Sequence, residues 1–365
     1  MFLAVPIAGV LDSVLPSALY AIHGTPSVRL DRYCAELGLR GTIIAKLEYL
    51  SPGYSKKDRI ARQMIEDALA SGALRPGQPV IELTSGNTGT GLAICCAALG
   101  HPFVAVMSEG NSVERARMMR ALGAEVVLVP QCEDSVAGQV SGEDLQLVFE
   151  ATKNLVAERG AFRADQFELD GNFRAHYLHT GPELLRQAAG SGLEIDAFVD
   201  FVGSGGTWAG VAAALREADA SARCYCVEPE GAAVIAGRDA PPLAPHAIQG
   251  GGYGMAELTA LAATPPPDGY IQVSSDEARE TARLLARTEG VFGGFSGGAN
   301  VAAAAHLLRG DHKGGVVACV ICDSGLKYLS TDLWPDNGRS SQQSFTPHSA
   351  RSSRSSHSPA GRSTC

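Results

Sequence analysis

Two adjacent lysines, Lys56 and Lys57, lie in the run SKKDR, where an apolar strand pattern ends at Pro52 and Gly53 and a helical pattern begins. An amine near a helix end feels dipoles that help it lose its proton, and so it can act as a nucleophile. Lys57 is placed one residue inside the expected helix, and Lys56 is its neighbour and competitor. The residues alone leave the choice between them open. Three glycine-rich stretches accompany the pair. VIELTSGNTGTGL (80–92) reads as a strand, a tight turn and a helix start, so backbone N–H groups converge where an anion could sit. VGSGGTWAG (202–210) sets Gly203, Ser204, Gly205, Gly206 and Thr207 between a strand and a helix, with amides and two hydroxyls to close around a dianionic phosphate. It lacks the lysine of a nucleoside-triphosphate loop, and a dinucleotide pattern fails at Trp208, which leaves a phosphate other than a nucleotide's. GFSGGAN (294–300) puts Ser296 at the mouth of a helix, where the bland reading is an N-cap. It does not fit the G-x-S-x-G elbow and no triad accompanies it, so it is not read as a hydrolase serine.

The elements that must position these groups alternate. Strand patterns at 42–50, 80–83, 103–107 and 125–130 are separated by helical ones, and the alternation resumes at 197–202, 224–229, 271–274 and 316–323; the helical patterns include 89–99, 174–189 and 299–308. Such alternation predicts parallel sheets covered by helices on both faces, in two α/β units with a cleft between them. The polar stretch ADQFELDGNF links the two runs. From Asn337 the chain is Ser-rich and aperiodic, the composition of a disordered tail.

Composition narrows the function. The 365 residues are 45% hydrophobic and carry a formal net charge of −9, with no basic block of the density a nucleic-acid surface needs. No apolar run reaches membrane-spanning length. The opening apolar stretch has no basic n-region and contains Asp12, so an unprocessed N-terminus is expected. The 9 cysteines are scattered, several in apolar runs, and read as buried free thiols rather than metal ligands or disulfides, which suits a reducing cytoplasm.

Taken together, HGTPSVRL, SKKDR, TSGNTGTGLA, MRALGAEVVLV, HTGPEL, VGSGGTWAG, IQGGG, GFSGGAN and DSGLKYLST resemble, in this order, the cysteine synthase and cystathionine β-synthase family. These are fold type II enzymes that use pyridoxal 5'-phosphate, and the resemblance runs from His23 to Trp334. It implies two three-layer α/β/α domains of the tryptophan-synthase-β-like type with the cofactor in the cleft between them. Residues 1–62 with 166–336 would form the larger domain, 63–165 a smaller mobile domain, and 337–365 the tail.

The resemblance also assigns roles. It makes Lys57 the Schiff-base lysine, with Lys56 at a position that is usually apolar. Asn87 corresponds to the asparagine at the cofactor's ring oxygen, and Gly203, Ser204, Gly205, Gly206 and Thr207 to the phosphate cup. Ser296 corresponds to the hydroxyl facing the ring nitrogen. Thr84, Ser85, Gly86 and Thr88 correspond to the loop that grips the substrate carboxylate, with Gln166 and Gly250 nearby. No metal is implied. The implied reaction is β-replacement on an activated serine, O-acetyl-L-serine with sulfide giving L-cysteine and acetate through α-aminoacrylate. The alternatives are serine or O-phosphoserine as donor, and homocysteine, sulfite or an amine as nucleophile. A homodimer is expected, partly covered by the apolar stretch 2–22, and an acyltransferase that offers its C-terminal carboxylate is a possible partner. The chain departs from the family pattern at Ser51, Asn111–Ser112 and 292–295; Tyr54 and Asn111 are expected to face the substrate side chain and so bear on the leaving group and nucleophile.

Overall fold

The computed structural model describes residues 14–135, 140, 142–219, 221–240 and 243–334. The first thirteen residues and the Ser-rich tail lie outside the described residues, and so do the expectations placed on them.

A 3-10 turn (Ala18–Ala21) precedes strand β1 (Ser27–Arg29), then come helix α1 (Asp31–Glu36) and strand β2 (Thr42–Leu47). Helix α2 (Lys57–Ser71) leads to β3 (Val80–Leu83), α3 (Asn87–Leu99), β4 (Phe103–Ser108), α4 (Val113–Ala121), β5 (Glu125–Val129), α5 (Gly142–Arg159) and β6 (Phe162–Arg163). Next come α6 (Gly171–Ala175), a π turn (His176–Thr180), α7 (Gly181–Gly190), β7 (Ala197–Phe201), α8 (Gly206–Ala218) and β8 (Arg223–Pro229). The short α9 (Thr259–Ala262) precedes β9 (Gly269–Val273), α10 (Ser275–Thr288), α11 (Phe295–Arg309) and β10 (Val316–Ile321).

The strands form two sheets, one in the order β1-β2-β10-β7-β8-β9 and one in the order β5-β4-β3-β6. Every pairing is parallel except β1 with β2 at the edge of the larger sheet. Apolar residues cover both faces of each sheet. In the larger sheet Val199, Cys319 and Ile321 face α10 and α11, while Phe198, Ala318 and Val320 face α7 and α8. In the smaller, Val80, Phe103 and Ala105 face α2 and α3, while Ile81, Val104 and Val106 meet Val148 of α5. This is the three-layer architecture of the tryptophan-synthase-β-like fold type II enzymes, as the alternation and the resemblance imply.

Local details differ from the sequence reading. The strand expected to run through 50 stops at Leu47, because Glu48–Leu50 turns as a 3-10 helix to bring Glu48 inward. The polar link is preceded by the two-residue strand β6, which extends the smaller sheet beside β3. A pairing of only two residues has no periodicity to read. The helix expected over 174–189 starts earlier and contains the π turn. Helices α3 and α11 also start earlier than expected, at Asn87 and Phe295, so Asn87, Thr88 and Ser296 lie inside first turns.

One buried charge cluster ties these layers to α2. The guanidinium of Arg59, fully buried, donates to Glu48 at 2.6 and 2.9 Å, to Glu183 of α7 at 2.7 and 2.9 Å, and to Thr25 Oγ1 at 3.0 Å. Lys46 of β2 pairs with the same Glu183 at 2.9 Å and donates to the Thr25 carbonyl at 2.9 Å. Two cations and two carboxylates thus neutralise one another. Replacing Arg59 with Met would strand the buried Glu48 carboxylate and leave Glu183 to Lys46 alone, a loss of about 3–5 kcal/mol. Urea denaturation of Arg59→Met should show that drop, and a midpoint equal to wild type would contradict it.

Candidate active site

The glycine loops leave the C-terminal ends of β3 and β7, and β10 ends beside them at Cys322. Open α/β sheets place ligands at such ends. A cavity of about 480 Å³ sits there, lined by Lys56, Lys57, the 84–88 loop, Gln166, Gly250, Ser296 and Cys322 among others. Nine of the expected site residues therefore meet in one place: Lys57, Thr84, Ser85, Gly86, Asn87, Thr88, Gln166, Gly250 and Ser296. Gly203–Thr207 do not line the cavity itself. They adjoin it through Lys57, whose Nζ donates to Ser204 Oγ at 3.2 Å. Tyr54 and Asn111, expected to face a substrate side chain, do not line the cavity. Tyr54 is half exposed, and Asn111 turns back to donate to the Ser108 carbonyl at 3.2 Å.

Two helix N-termini point their amides at this region. Among the described residues, the amides of 203–207 ahead of α8 have no acceptor, and α8 has no side-chain cap. The amides of 85–88 at α3 are equally free, because Thr84 Oγ1 accepts only from Gly89, at 2.9 Å. Each end offers several donors and a favourable dipole to one anion. The first cradle leaves no room for a side chain at two of its glycines: a Cβ at Gly203 would strike the Gly250 carbonyl, and one at Gly206 would strike Asn172.

The two lysines differ sharply. Lys56 Nζ lies 2.8 and 3.0 Å from the carboxylate oxygens of Asp200 on β7. Burial works against its charge, but Asp200 outweighs burial and holds the ammonium above its ordinary value. Lys57 is no carboxylate's partner; burial, and then the charge of Lys56, bring it down to about 8. It stands as the first residue of α2 rather than one turn-residue inside it.

Several residues that the sequence did not flag hold this site in place. Asn172 donates to Ser204 Oγ at 2.9 Å and to the Gln166 carbonyl at 2.7 Å, while its own buried Oδ1 has no partner. His176, in the π turn, meets Thr207 Oγ1 at 3.1 Å and Thr180 Oγ1 at 2.9 Å. Burial first, and the neighbouring cations after it, hold His176 well below its ordinary value, so the ring is neutral. Asn87 donates to Asp323 at 2.8 Å, and its oxygen accepts from Lys327; Tyr328 donates to the same Asp323 oxygen at 2.7 Å. Thr88 Oγ1 donates to Gln166 at 2.8 Å, which ties the 84–88 loop across the cleft. Ser296 shares the cavity wall with Cys322, whose thiol burial pushes up to about 11. Of these, Asp323, Lys327 and Tyr328 fall in the DSGLKYLST stretch, whereas Asn172 lies before the helix expected over 174–189 and gave no signal.

A neutralisable lysine between two amide cradles, with a hydroxyl on the far wall, is the apparatus of an enzyme that holds an aldehyde-bearing phosphate cofactor. The chain belongs to the pyridoxal-phosphate-dependent enzyme family, whose pattern residues 18–323 match, and it is a fold type II member. It is 39% identical over 313 residues to a cysteine synthase of Staphylococcus aureus, covering 86% of this chain and 95% of that protein. It is 37% identical over 323 residues to an O-ureido-L-serine synthase of Streptomyces lavendulae, covering 87% and 92%. Among solved structures, the O-acetyl serine sulfhydrylase isoform 3 of Entamoeba histolytica superposes with a TM-score of 0.80 at 30% identity, over 93% of this chain and 96% of that one. The free amides, the Ser204 and Thr207 hydroxyls and the closely packed Gly203 and Gly206 suit the cofactor's phosphate end. No helix among the described residues is long and apolar enough to cross a membrane.

The contrast between the lysines is measurable without cofactor. Near pH 8 about half of the Lys57 amines are neutral, while Lys56 stays protonated. Limiting acetic anhydride should acetylate Lys57 at least about tenfold faster than Lys56, as read by peptide mass. Equal labelling would contradict the geometry.

Proposed function

We propose that this enzyme carries out β-replacement on O-acetyl-L-serine with sulfide, releasing acetate and forming L-cysteine. The observation that carries this reading is the convergence of Lys57, the 84–88 loop and Ser296 at one cavity, with Ser204 of the second cradle 3.2 Å from the Lys57 amine. The likeness to a cysteine synthase and to an O-acetyl serine sulfhydrylase supports the choice of donor and nucleophile.

Pyridoxal phosphate, when bound, supplies an aldehyde for amines and a ring that draws electrons from the substrate's Cα. The chain's own residues do the rest. Gly203–Thr207 hold the phosphate with their amides, with Thr207 set by His176 and Ser204 by Asn172. Ser296 offers a neutral hydroxyl to the ring nitrogen, which favours loss of a β-substituent over transamination. The 85–88 amides take the substrate carboxylate. Asn87, with one amide hydrogen on Asp323, has a second for the cofactor's ring oxygen. Lys57 removes the proton at Cα and later returns it, a role that requires an amine neutral at working pH. Gln166, held by Thr88, and Gly250 border the substrate's side chain. The 84–88 loop and the phosphate cradle belong to different sheets, so a bound substrate would draw the two units together and exclude water.

A second reading has its own support. The likeness to an O-ureido-L-serine synthase is nearly as great, and a ureido-oxygen nucleophile such as hydroxyurea would add to the same β-carbon. The deciding experiment gives the full-length protein and pyridoxal phosphate a matrix of substrates. Donors are O-acetyl-L-serine, O-phospho-L-serine and serine; nucleophiles are sulfide, homocysteine, sulfite, an amine and hydroxyurea. Product masses should show cysteine and acetate as the fastest pair. Faster formation of O-ureido-L-serine would replace this reading with the second, and no product from any pair would overturn both. Lys57→Ala should lower turnover by about a thousandfold or more, and near-normal turnover would remove Lys57 from its role.

A further inference from the structure

Asp200 is an unexpected residue in its strand. β7 reads AFVDF and is buried along its whole length, so a carboxylate there needs a partner. Lys56 supplies it with two contacts, and Asn300 of α11 adds a third at 3.3 Å. Both members of the pair are buried, and Lys56 forms part of the cavity wall beside Lys57. An apolar pair of similar volume could fill this space without the desolvation that ions incur. The pair also lies apart from the Arg59 cluster that joins α2 to β2 and α7.

The charged and titratable groups facing Lys57 come from four places. They are Lys56 on its own segment, Asp200 on β7, Cys322 after β10, and His176 in the π turn. Cys322 and His176 are neutral near pH 7 for the reasons given above, which leaves the Lys56 ammonium and the Asp200 carboxylate as the charges. Held at both carboxylate oxygens, the ammonium is anchored in place. A second positive charge beside it is disfavoured in this dry surrounding. Lys56 has the carboxylate and Lys57 has only a hydroxyl, so the proton is lost from Lys57.

We propose that Lys56, anchored by Asp200, is a positioning residue that keeps the Lys57 amine neutral and nucleophilic. The proposal rests on the reading of Lys57 as the lysine that condenses with the cofactor. Lys56 itself touches neither reacting atom; its charge acts through its neighbour.

The test follows that condensation, which forms a C=N bond at the lysine and releases one water. Full-length protein freed of cofactor is mixed with pyridoxal phosphate across a pH series, borohydride adds hydride to the C=N bond, and peptide mass counts the adduct on each lysine. In the wild type, the initial rate of adduct formation on Lys57 should rise with a midpoint near pH 8. Lys56→Gln, which keeps a donor for Asp200, should raise that midpoint by about one to two pH units, and Lys56→Arg should restore it. If Lys56→Gln does not fold, Lys56→Met combined with Asp200→Leu removes both charges and should still raise the midpoint, by less. A midpoint unmoved in the folded charge-removing variant overturns the proposal, as does an equal shift in Lys56→Arg. Adduct on Lys56, or on neither lysine, overturns instead the reading of Lys57 on which it rests.

Discussion

The buried guanidinium of Arg59 is the contact on which the geometry of the site depends. A charge taken fully out of water is tolerable only when its donors are satisfied and its charge is balanced. Arg59 meets both conditions by recruiting Glu48 from the turn after β2, Glu183 from α7 and Thr25 from the entry loop. Three separate stretches of chain are thereby fixed to the first turn of α2. Lys57 lies two residues earlier on that same turn, so the network that anchors Arg59 also sets where the reactive amine emerges.

Around that amine, the fold repeats one device. A parallel strand ends, a glycine-rich turn follows, and the next helix presents unpaired amides at the cavity or, through Ser204 and Lys57, beside it. It happens after β3 and again after β7, giving two anion sites whose spacing is set by how the two sheets pack. Between them stands the Lys57 amine, which donates to Ser204 and is paired with no carboxylate. The supporting residues are polar groups held by other polar groups: Asn172 and His176 behind the phosphate cradle, Asp323, Lys327 and Tyr328 around Asn87, Gln166 against Thr88. Such shells orient the groups in contact with ligand without touching it.

The neutral groups near the cofactor site also bear on the chemistry. Burial keeps Cys322 a thiol and His176 an unprotonated ring. Ser296 is therefore backed by neutral groups, and no carboxylate is among the residues that line the cavity. That environment matches β-substituent loss better than reactions that need a protonated, strongly electron-withdrawing ring.

What the sequence determined by itself was local. The alternation of strand and helix patterns announced parallel sheets, because a strand buried on both faces must be apolar throughout and its crossover helix amphipathic. The glycine turns announced anion cradles, because a close backbone approach admits no side chain. The fold family and the residues at the cavity were legible from those motifs in order. The tertiary structure decided what depends on distant partners. The helices at 87, 171 and 295 start earlier than their periodicity suggests, since first turns are stabilised by what they pack against. β6 exists only because β3 offers it an edge. Lys56 and Lys57 are indistinguishable as neighbours in a line of residues. They become different groups only when β7 brings Asp200, 144 residues away, within 2.8 Å of one of them.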